Sequence, residues 1–288
     1  MTAAVAQAPY LTWLYVPGDR PDVVAKALDS GADVVIVDLE DAVAPERKRY
    51  ALDATAELLG ERRRVPVHVR VNALDGPLAE AEVRRLTPLP GLDALRLPKV
   101  SGPGDVARVA GWAAHVPPLY ALLESALGVE NAHAVAMAHP AVAGLALGEA
   151  DLRADLGVSD PAGLAWPRSR TVVAARAAGL APPAQSVYPD IRDTEGLARS
   201  CAEGRALGFL GRTAIHPRQL PVIERAFLPT PAEVEAAHEV VGAARTEAGA
   251  LSLPDGRFVD AAVVAAAHRT LALAGRASER RPRAPRSP

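Results

Sequence analysis

A run of apolar residues leads into a group of acids in the stretch Val34-Val35-Ile36-Val37-Asp38-Leu39-Glu40-Asp41-Ala42-Val43. Its first four residues are β-branched and apolar, as in a strand that is buried on both faces of a parallel sheet. Three carboxylates, Asp38, Glu40 and Asp41, then follow within four residues. Acids at the carboxyl end of a buried parallel strand lie where an α/β protein carries its chemistry. The alternative is a polar loop with a helix-capping aspartate, and this stretch alone does not decide between the two.

The composition bounds the class of protein. The 288 residues are 49% hydrophobic with a formal net charge of −2, which argues against nucleic acid or an anionic membrane as the main partner. The single cysteine, Cys201, excludes an internal disulfide framework and multi-cysteine zinc sites. No apolar run approaches the ~20 residues that span a bilayer. Residues 1–9 do not read as a signal peptide, so we expect a cytoplasmic protein.

Apolar strands alternate with helical segments along the first 230 residues. The opening stretch is the second strand, and the others are predicted at 11–16, 65–71, 94–99, 119–123, 142–147, 185–188 and 213–215. Eight strands that are each followed by a helix predict an α/β protein with a (β/α)8 TIM barrel over residues 1–230. Residues 231–277 predict a small helical appendage, and the Arg- and Pro-rich residues 278–288 predict a disordered tail.

Polar side chains end most of these strands and should meet at one face of the barrel. They are Asp38, Glu40 and Asp41 after the second strand, Arg70 at the third, Lys99 at the fourth, Glu124 at the fifth, Asp151 at the sixth and His216 at the eighth. Two carboxylates on adjacent strands, completed by water, suit Mg²⁺. Salt bridges inside the barrel mouth explain Glu124 and Asp151 equally well. Arg70 is either structural or suited to binding a carboxylate or a developing enolate.

Several other chemistries lack their motifs. No GxGxxG follows a strand and no GxxxxGK[ST] occurs, which excludes the common nucleotide-binding loops. No GxSxG supplies a hydrolase nucleophile. Ser125 follows Glu124 without an evident base, so a serine-based triad is disfavoured.

Short stretches between about residues 11 and 231 carry a family resemblance. They are Val16-Pro17-Gly18-Asp19-Arg20-Pro21, residues 38–43 with Lys48, Arg70-Val71-Asn72, Leu97-Pro98-Lys99-Val100, Glu124-Ser125, Gly148-Glu149-Ala150-Asp151-Leu152 and Gly208-Phe209-Leu210-Gly211 with Ile215-His216-Pro217. In these stretches the sequence resembles the citrate lyase β-subunit-like family, within the wider group of Mg²⁺-dependent CoA-ester lyases and aldolases. Asp255-Gly256-Arg257-Phe258-Val259-Asp260 also resembles the lid segment of members that act on malyl- or citramalyl-CoA.

The resemblance implies an activity. A Mg²⁺-dependent lyase of this type cleaves malyl-, citramalyl- or citryl-CoA to acetyl-CoA and a 2-keto acid by retro-Claisen chemistry. Two alternatives stay open: a malyl-CoA thioesterase, and a citrate lyase β-like subunit that depends on a carrier protein. The partners implied are an acyl-CoA thioester and a small 2-keto acid.

The resemblance also implies residue roles. Glu124 and Asp151 would bind Mg²⁺, and its waters would be held by Asp38, Glu40 and Asp41. Arg70 would bind the keto acid and stabilise the enolate oxygen. The CoA ester would be contacted by Arg20, Lys48 and Lys99, and Asp260 would be the acid/base. Residues 231–277 would be a helical lid acting on a neighbouring subunit, in a homotrimer or hexamer. Three departures from the family pattern leave the acyl-CoA undetermined: Gln185 in the seventh strand, Leu52 after Lys48, and Ala261-Ala262 after Asp260.

Overall fold

The computed structural model describes residues 9–113, 115–246, 250–253 and 255–280. These residues form two compact units, one spanning Tyr10–Glu224 and the other containing Pro9 and the residues from Arg225 onward. None of the described helices combines the length and the apolar character needed to cross a membrane.

The larger unit is built on a parallel sheet. Its strands are β1 (Thr12–Pro17), β2 (Val34–Asp38), β3 (Val67–Arg70), β4 (Ala94–Leu97), β5 (Leu119–Leu123), β6 (Val142–Leu147) and β7 (Arg212–Ala214). The order across the sheet is β6-β5-β4-β3-β2-β1-β7, and every neighbouring pair is parallel. The predicted alternation of parallel strands and helices is therefore confirmed.

The predicted seventh strand, residues 185–188, is reduced to one parallel bridge between Gln185 and Arg212. Pro182 and Pro183 precede Gln185 and Pro189 follows it, and proline has no N–H to donate to a strand ladder. With this bridge, the strand order is that of an eight-membered ring opened between β6 and Gln185. The fold is mixed α/β with a parallel sheet, and its closure into a complete barrel stays a prediction.

Helices and single turns of 3₁₀-helix connect the strands. The helices are α1 (Pro21–Leu28), α2 (Lys48–Leu58), α3 (Ala79–Leu86), α4 (Pro103–Trp112), α5 (Ala126–Glu130), α6 (Ala132–Ala136), α7 (Glu149–Leu156), α8 (Ala165–Ala177), α9 (Thr194–Ala206) and α10 (Leu220–Phe227). The 3₁₀ turns are Pro45–Arg47, Pro161–Leu164 and Pro217–Gln219. Local signals begin and end these elements: Pro21 starts α1, and Gly157, at φ 65°, ends α7.

Apolar residues of the sheet form the core. Val34, Val35, Ile36 and Val37 of β2 are completely buried, as their β-branched run predicts. Aromatic side chains extend this core, because Trp13 packs edge-on against His68 and Tyr120. His68 is therefore a core residue.

The smaller unit contains α11 (Pro231–Thr246), the strands β8 (Leu251–Ser252) and β9 (Phe258–Val259), and α12 (Ala261–Arg280). The two strands pair as an antiparallel hairpin, which the sequence did not predict. Its own core consists of Ala237, Val240, Val241, Leu253, Val259 and Ala267. Helix α12 extends to Arg280, three residues into the predicted tail, and residues 281–288 lie outside the described residues.

Candidate active site at the carboxyl ends of the strands

Arg70, the last residue of β3, is held by the acids that follow β2. The register of the two strands places Asp38 opposite Arg70. Arg70 Nε donates to Asp38 Oδ1 at 2.7 Å, and Nη2 donates to Oδ2 at 2.6 Å. Such a two-pronged pair fixes the plane of the guanidinium as well as its position. Arg70 Nη1 also lies 3.0 Å from Glu40 Oε2 and 3.3 Å from Asp41 Oδ2.

Asp38 is committed to its protein partners. Besides the two bonds from Arg70, Asp38 Oδ1 accepts from the Glu40 N–H at 2.9 Å and Oδ2 accepts from the Ala42 N–H at 3.1 Å. The side chain is buried. Because each oxygen already accepts two hydrogen bonds, Asp38 positions Arg70 and the turn after β2.

Glu40 lies between two cations. Its Oε1 accepts from Lys99 Nζ at 2.7 Å, whereas the ion pair from Oε2 to Arg70 does not have hydrogen-bond geometry, so Oε2 has no hydrogen-bond partner. Burial raises the pKa of Glu40 above its ordinary value, and Arg70 and Lys99 oppose that shift. Asp41 is half exposed and lies 3.8 Å from Lys99 Nζ, so the predicted acidic cluster divides into a buried part and a solvated part.

Lys99 follows β4 in an unusual backbone conformation. Its φ is 52°, and among the described residues all the other positive φ angles belong to glycine. In this conformation the Lys99 N–H donates to Glu124 Oε1 at 2.6 Å. Lys99 therefore contacts acids from β2 and β5 at once, one through its side chain and one through its backbone.

Glu124 follows β5 directly and is buried. Its Oε2 and Cβ lie against Gly148, where any side chain would overlap them. Asp151, in the first turn of α7, is close enough to share a hydrogen bond with Glu124. Burial raises the pKa of Glu124 to about 8, and the charges of Glu40 and Asp151 act in the same direction. Two carboxylates this close favour a proton or a cation between them.

The donor set fits a magnesium ion. Across the residues that the structure describes, no cluster of three or more Asp, Glu, His or Cys side chains could hold a metal. A metal at Glu124 and Asp151 would therefore have two protein carboxylates, with water or substrate oxygens as its other ligands. Mg²⁺ accepts this arrangement, because it keeps several waters and prefers hard oxygen ligands. Because burial is the main cause of the raised pKa of Glu124, a cation bound beside it would stabilise its ionised form.

The remaining predicted residues make contacts of their own. Lys48 Nζ donates to the backbone carbonyls of Leu39 at 2.8 Å and Glu40 at 2.6 Å, so its ammonium group holds the loop after β2. Arg20 is exposed at the start of α1. Asp260 belongs to the smaller unit, where its Oδ1 accepts from the N–H groups of Ala262 and Val263, both at 2.9 Å, and so begins α12. Their predicted roles toward a CoA ester stay predictions.

Sequence reasoning missed a second two-pronged ion pair. Arg168 of α8 donates to both carboxylate oxygens of Glu149, at 2.8 and 2.6 Å. Glu149 lies two residues before Asp151, so this pair holds the turn that carries Asp151. Glu149 stands in a stretch that carries the family resemblance, but Arg168 is separated from it by 19 residues and has no positional signal.

Comparisons with known proteins identify the family of this chain. The family described as HpcH/HpaI aldolase/citrate lyase matches residues 11–217. A (3S)-malyl-CoA thioesterase of Cereibacter sphaeroides is 37% identical over 281 residues, covering 92% of this chain and 95% of that protein. The citrate lyase subunit beta of Leuconostoc mesenteroides is 32% identical over 284 residues, covering 91% and 92%.

Solved structures show the same likeness. CitE from Mycobacterium tuberculosis, in complex with magnesium, acetoacetate and coenzyme A, has a TM-score of 0.81 and 33% identity, covering 93% of this chain and 99% of that one. Another structure, of the citrate lyase beta subunit of M. tuberculosis with oxaloacetate and magnesium, has a TM-score of 0.68 and 32% identity, covering 77% and 98%. Since the family match covers most of the chain, this protein belongs to the HpcH/HpaI aldolase/citrate lyase family.

Proposed function

We propose that this protein is a Mg²⁺-dependent lyase that cleaves a 3-hydroxyacyl-CoA of the malyl-, citramalyl- or citryl-CoA type to acetyl-CoA and a 2-keto acid. The observation that carries the proposal is the buried Glu124 beside Asp151, two carboxylates that a bound cation would stabilise, at the same end of the sheet as Arg70. Relatives whose structures contain magnesium with acetoacetate and coenzyme A, or with oxaloacetate, support it.

The reaction defines what the site must do. The bond between the hydroxyl-bearing carbon and the acyl α-carbon breaks, and its electron pair moves onto the acyl fragment as an enolate. The hydroxyl group loses its proton as the keto acid forms, and the α-carbon gains a proton as acetyl-CoA forms. The site must therefore stabilise negative charge on the thioester oxygen and move a proton at the α-carbon.

Glu124 and Asp151 would hold Mg²⁺, which when bound would lower the pKa of the substrate hydroxyl and orient the adjacent carboxylate. Arg70 would bind the keto acid and stabilise the enolate oxygen. Its two bonds to Asp38 fix the guanidinium before substrate arrives, so the charge needs little reorganisation during the reaction. The family resemblance implies that Asp38, Glu40 and Asp41 orient water at the ion. Because both oxygens of Asp38 already accept two hydrogen bonds, we assign that role to Glu40 and Asp41 and the positioning of Arg70 to Asp38.

Asp260 would move the proton at the α-carbon. We propose that residues 231–277 act as a lid and deliver Asp260 to a neighbouring subunit, which requires an oligomer such as a trimer or hexamer. Closure of a lid would exclude water from a reactive enolate. Arg20 and Lys48 would contact the CoA portion, and a cytoplasmic location suits such a substrate.

A thioesterase is the second candidate, because a (3S)-malyl-CoA thioesterase is 37% identical over 92% of this chain. In that reaction water attacks the thioester and the C–S bond breaks, which releases free thiol. A carrier-protein-dependent subunit is a third candidate, because of the similarity to a citrate lyase subunit beta. A standalone enzyme needs its own acid/base, and Asp260 would supply it.

One assay separates these functions. The purified protein is incubated with Mg²⁺ and malyl-, citramalyl- or citryl-CoA, while free thiol and 2-keto acid are measured separately. Keto acid without thiol is the result that we expect. Thiol without keto acid would establish the thioesterase instead, and neither product would favour the carrier-dependent subunit.

A further inference from the structure

We propose that Lys99 is a positioning residue that fixes Glu124 through its backbone and Glu40 through its side chain. The proposal rests on the proposed function, since it gives these two acids their roles. It differs from the role that the family resemblance implies for Lys99, which is contact with the CoA ester.

The backbone of Lys99 adopts a conformation that aims its N–H at Glu124. A φ of 52° is in the left-handed region, which a side chain with a Cβ disfavours and glycine adopts readily. This turn aims the Lys99 N–H at Glu124 Oε1, 2.6 Å away. The other oxygen of Glu124 lies against Gly148, at the start of the helix that carries Asp151. The strained turn thus fixes the rotation of the Glu124 carboxylate.

The side chain of Lys99 forms an ion pair with Glu40. Glycine would relieve the strain at this position, so a lysine here indicates a use for its ammonium group. Nζ donates to Glu40 Oε1 at 2.7 Å, and Glu40 is buried and also pairs with Arg70. A buried carboxylate needs its partners, since an unpaired one is costly. The ammonium group therefore holds Glu40 in place beside Arg70.

These contacts form a continuous chain from Glu124 through Lys99 and Glu40 to Arg70. Lys99 joins the proposed metal-binding pair to the cation that would stabilise the enolate. The ammonium group and its ion pair with Glu40 also offset the strain of the left-handed turn. The substitutions Lys99→Gly and Lys99→Ala should therefore have different consequences.

Mg²⁺ affinity, measured by calorimetry without substrate, tests the backbone part. Lys99→Gly keeps the left-handed turn at no cost, so its affinity should stay within about twofold of the wild type. Alanine also disfavours a positive φ, and in Lys99→Ala the ion pair with Glu40 no longer offsets that cost. The backbone should therefore leave the left-handed conformation, and the Mg²⁺ affinity should fall about tenfold, as for other groups that orient metal ligands. Gly179→Ala is the control, because Gly179 has a φ of 75° and nothing within 4 Å of an added Cβ. It should leave the Mg²⁺ affinity unchanged.

Turnover tests the side-chain part. In Lys99→Gly, loss of the ammonium group should lower kcat about tenfold while the KM for the CoA ester changes little. Lys99→Arg should restore much of kcat, because arginine also offers Glu40 a cation. A residue that binds the CoA ester would instead raise KM and leave kcat intact.

The results that overturn the proposal are distinct from those that overturn the function. Equal Mg²⁺ affinities in Lys99→Gly and Lys99→Ala would refute the backbone role. An unchanged kcat with a raised KM in Lys99→Gly would refute the side-chain role and support contact with the CoA ester. A wild-type protein that binds Mg²⁺ but turns over no CoA ester would refute the proposed function, and the calorimetric comparison would still decide the backbone role.

Discussion

Asp38 and Arg70 lie opposite each other on neighbouring strands and are joined by two hydrogen bonds of 2.7 and 2.6 Å. Asp38 accepts two further bonds from the turn that follows it. One carboxylate thus fixes both the cation and the loop that carries the other acids. Asp38, the last residue of β2, therefore positions Arg70.

Asp38→Asn should lower kcat/KM by roughly 100-fold. An amide has one donor group facing the guanidinium, so it cannot accept both bonds and Arg70 loses its fixed plane. Steady-state kinetics on the CoA ester measures the effect. Asp53→Asn is the control, because it removes an exposed ion pair with Arg85 and should cost little. Equal activities of the two variants would contradict the support role.

Gly148→Ala should weaken Mg²⁺ binding about tenfold or more. The added methyl group would overlap Glu124 Oε2 and come within 2.6 Å of its Cβ, so the carboxylate must move. Calorimetric titration with Mg²⁺ measures the change. Gly111→Ala in α4 adds a methyl group with nothing within 4 Å and serves as the matched control. An unchanged affinity in Gly148→Ala would show that Glu124 does not bind the ion.

The stability of the metal-free protein should fall as the pH rises from about 4.5 to about 8. Burial raises the pKa of Glu124 from 4.5 to about 8, so the folded state holds this proton more tightly than the unfolded state does. The contribution is fully present below the unfolded pKa and is lost as the pH passes the folded one. Solvent around Asp151 reduces this effect, so the loss in the free energy of unfolding should be on the order of 2 kcal/mol.

Urea titrations across this pH range measure that loss. Glu124→Gln should flatten the dependence, because glutamine does not titrate. Saturating Mg²⁺ should reverse the loss at pH 8 in the wild type, because the ion binds the ionised carboxylate. If the free energy of unfolding depends on pH equally in the wild type and in Glu124→Gln, the titrating group is a residue other than Glu124.

Asp260→Asn should reduce turnover by about 100-fold or more, the range for loss of a general acid or base. Asparagine is as good a helix cap as aspartate, so α12 and the thermal stability should be retained. Mg²⁺ affinity should also be unchanged. The readouts are kcat and the incorporation of solvent deuterium into acetyl-CoA. Asp255→Asn, in the same unit, is the control, and full activity in Asp260→Asn would remove the residue from the reaction.

The sequence predicted the parts of the site that follow from strand periodicity. The β-branched run Val34–Val37 identified a buried strand, and parallel strands place their carboxyl ends at one edge. This periodicity predicts that Asp38, Arg70, Lys99 and Glu124 lie at the same end of the sheet. The structure then brought them into direct contact.

Other features had no signal in the local pattern. Lys99 has a positive φ, which its residue type does not predict. Arg168 reaches Glu149 across a loop, and tertiary packing alone decides that contact. The segment at Gln185 read as a strand, yet the prolines around it leave one bridge. Side-chain partners and backbone strain depend on the assembled sheet, so alternation along the chain does not report them.

We propose that Mg²⁺ at Glu124 and Asp151 supports cleavage of a carbon–carbon bond. The most direct measurement is the initial rate of 2-keto acid release from the CoA ester, in wild type and Glu124→Gln, with Mg²⁺ and with a chelator. We expect release of keto acid, without free thiol, from the wild type with Mg²⁺, and almost none in the other three conditions. Release that persists in Glu124→Gln or with the chelator would contradict it.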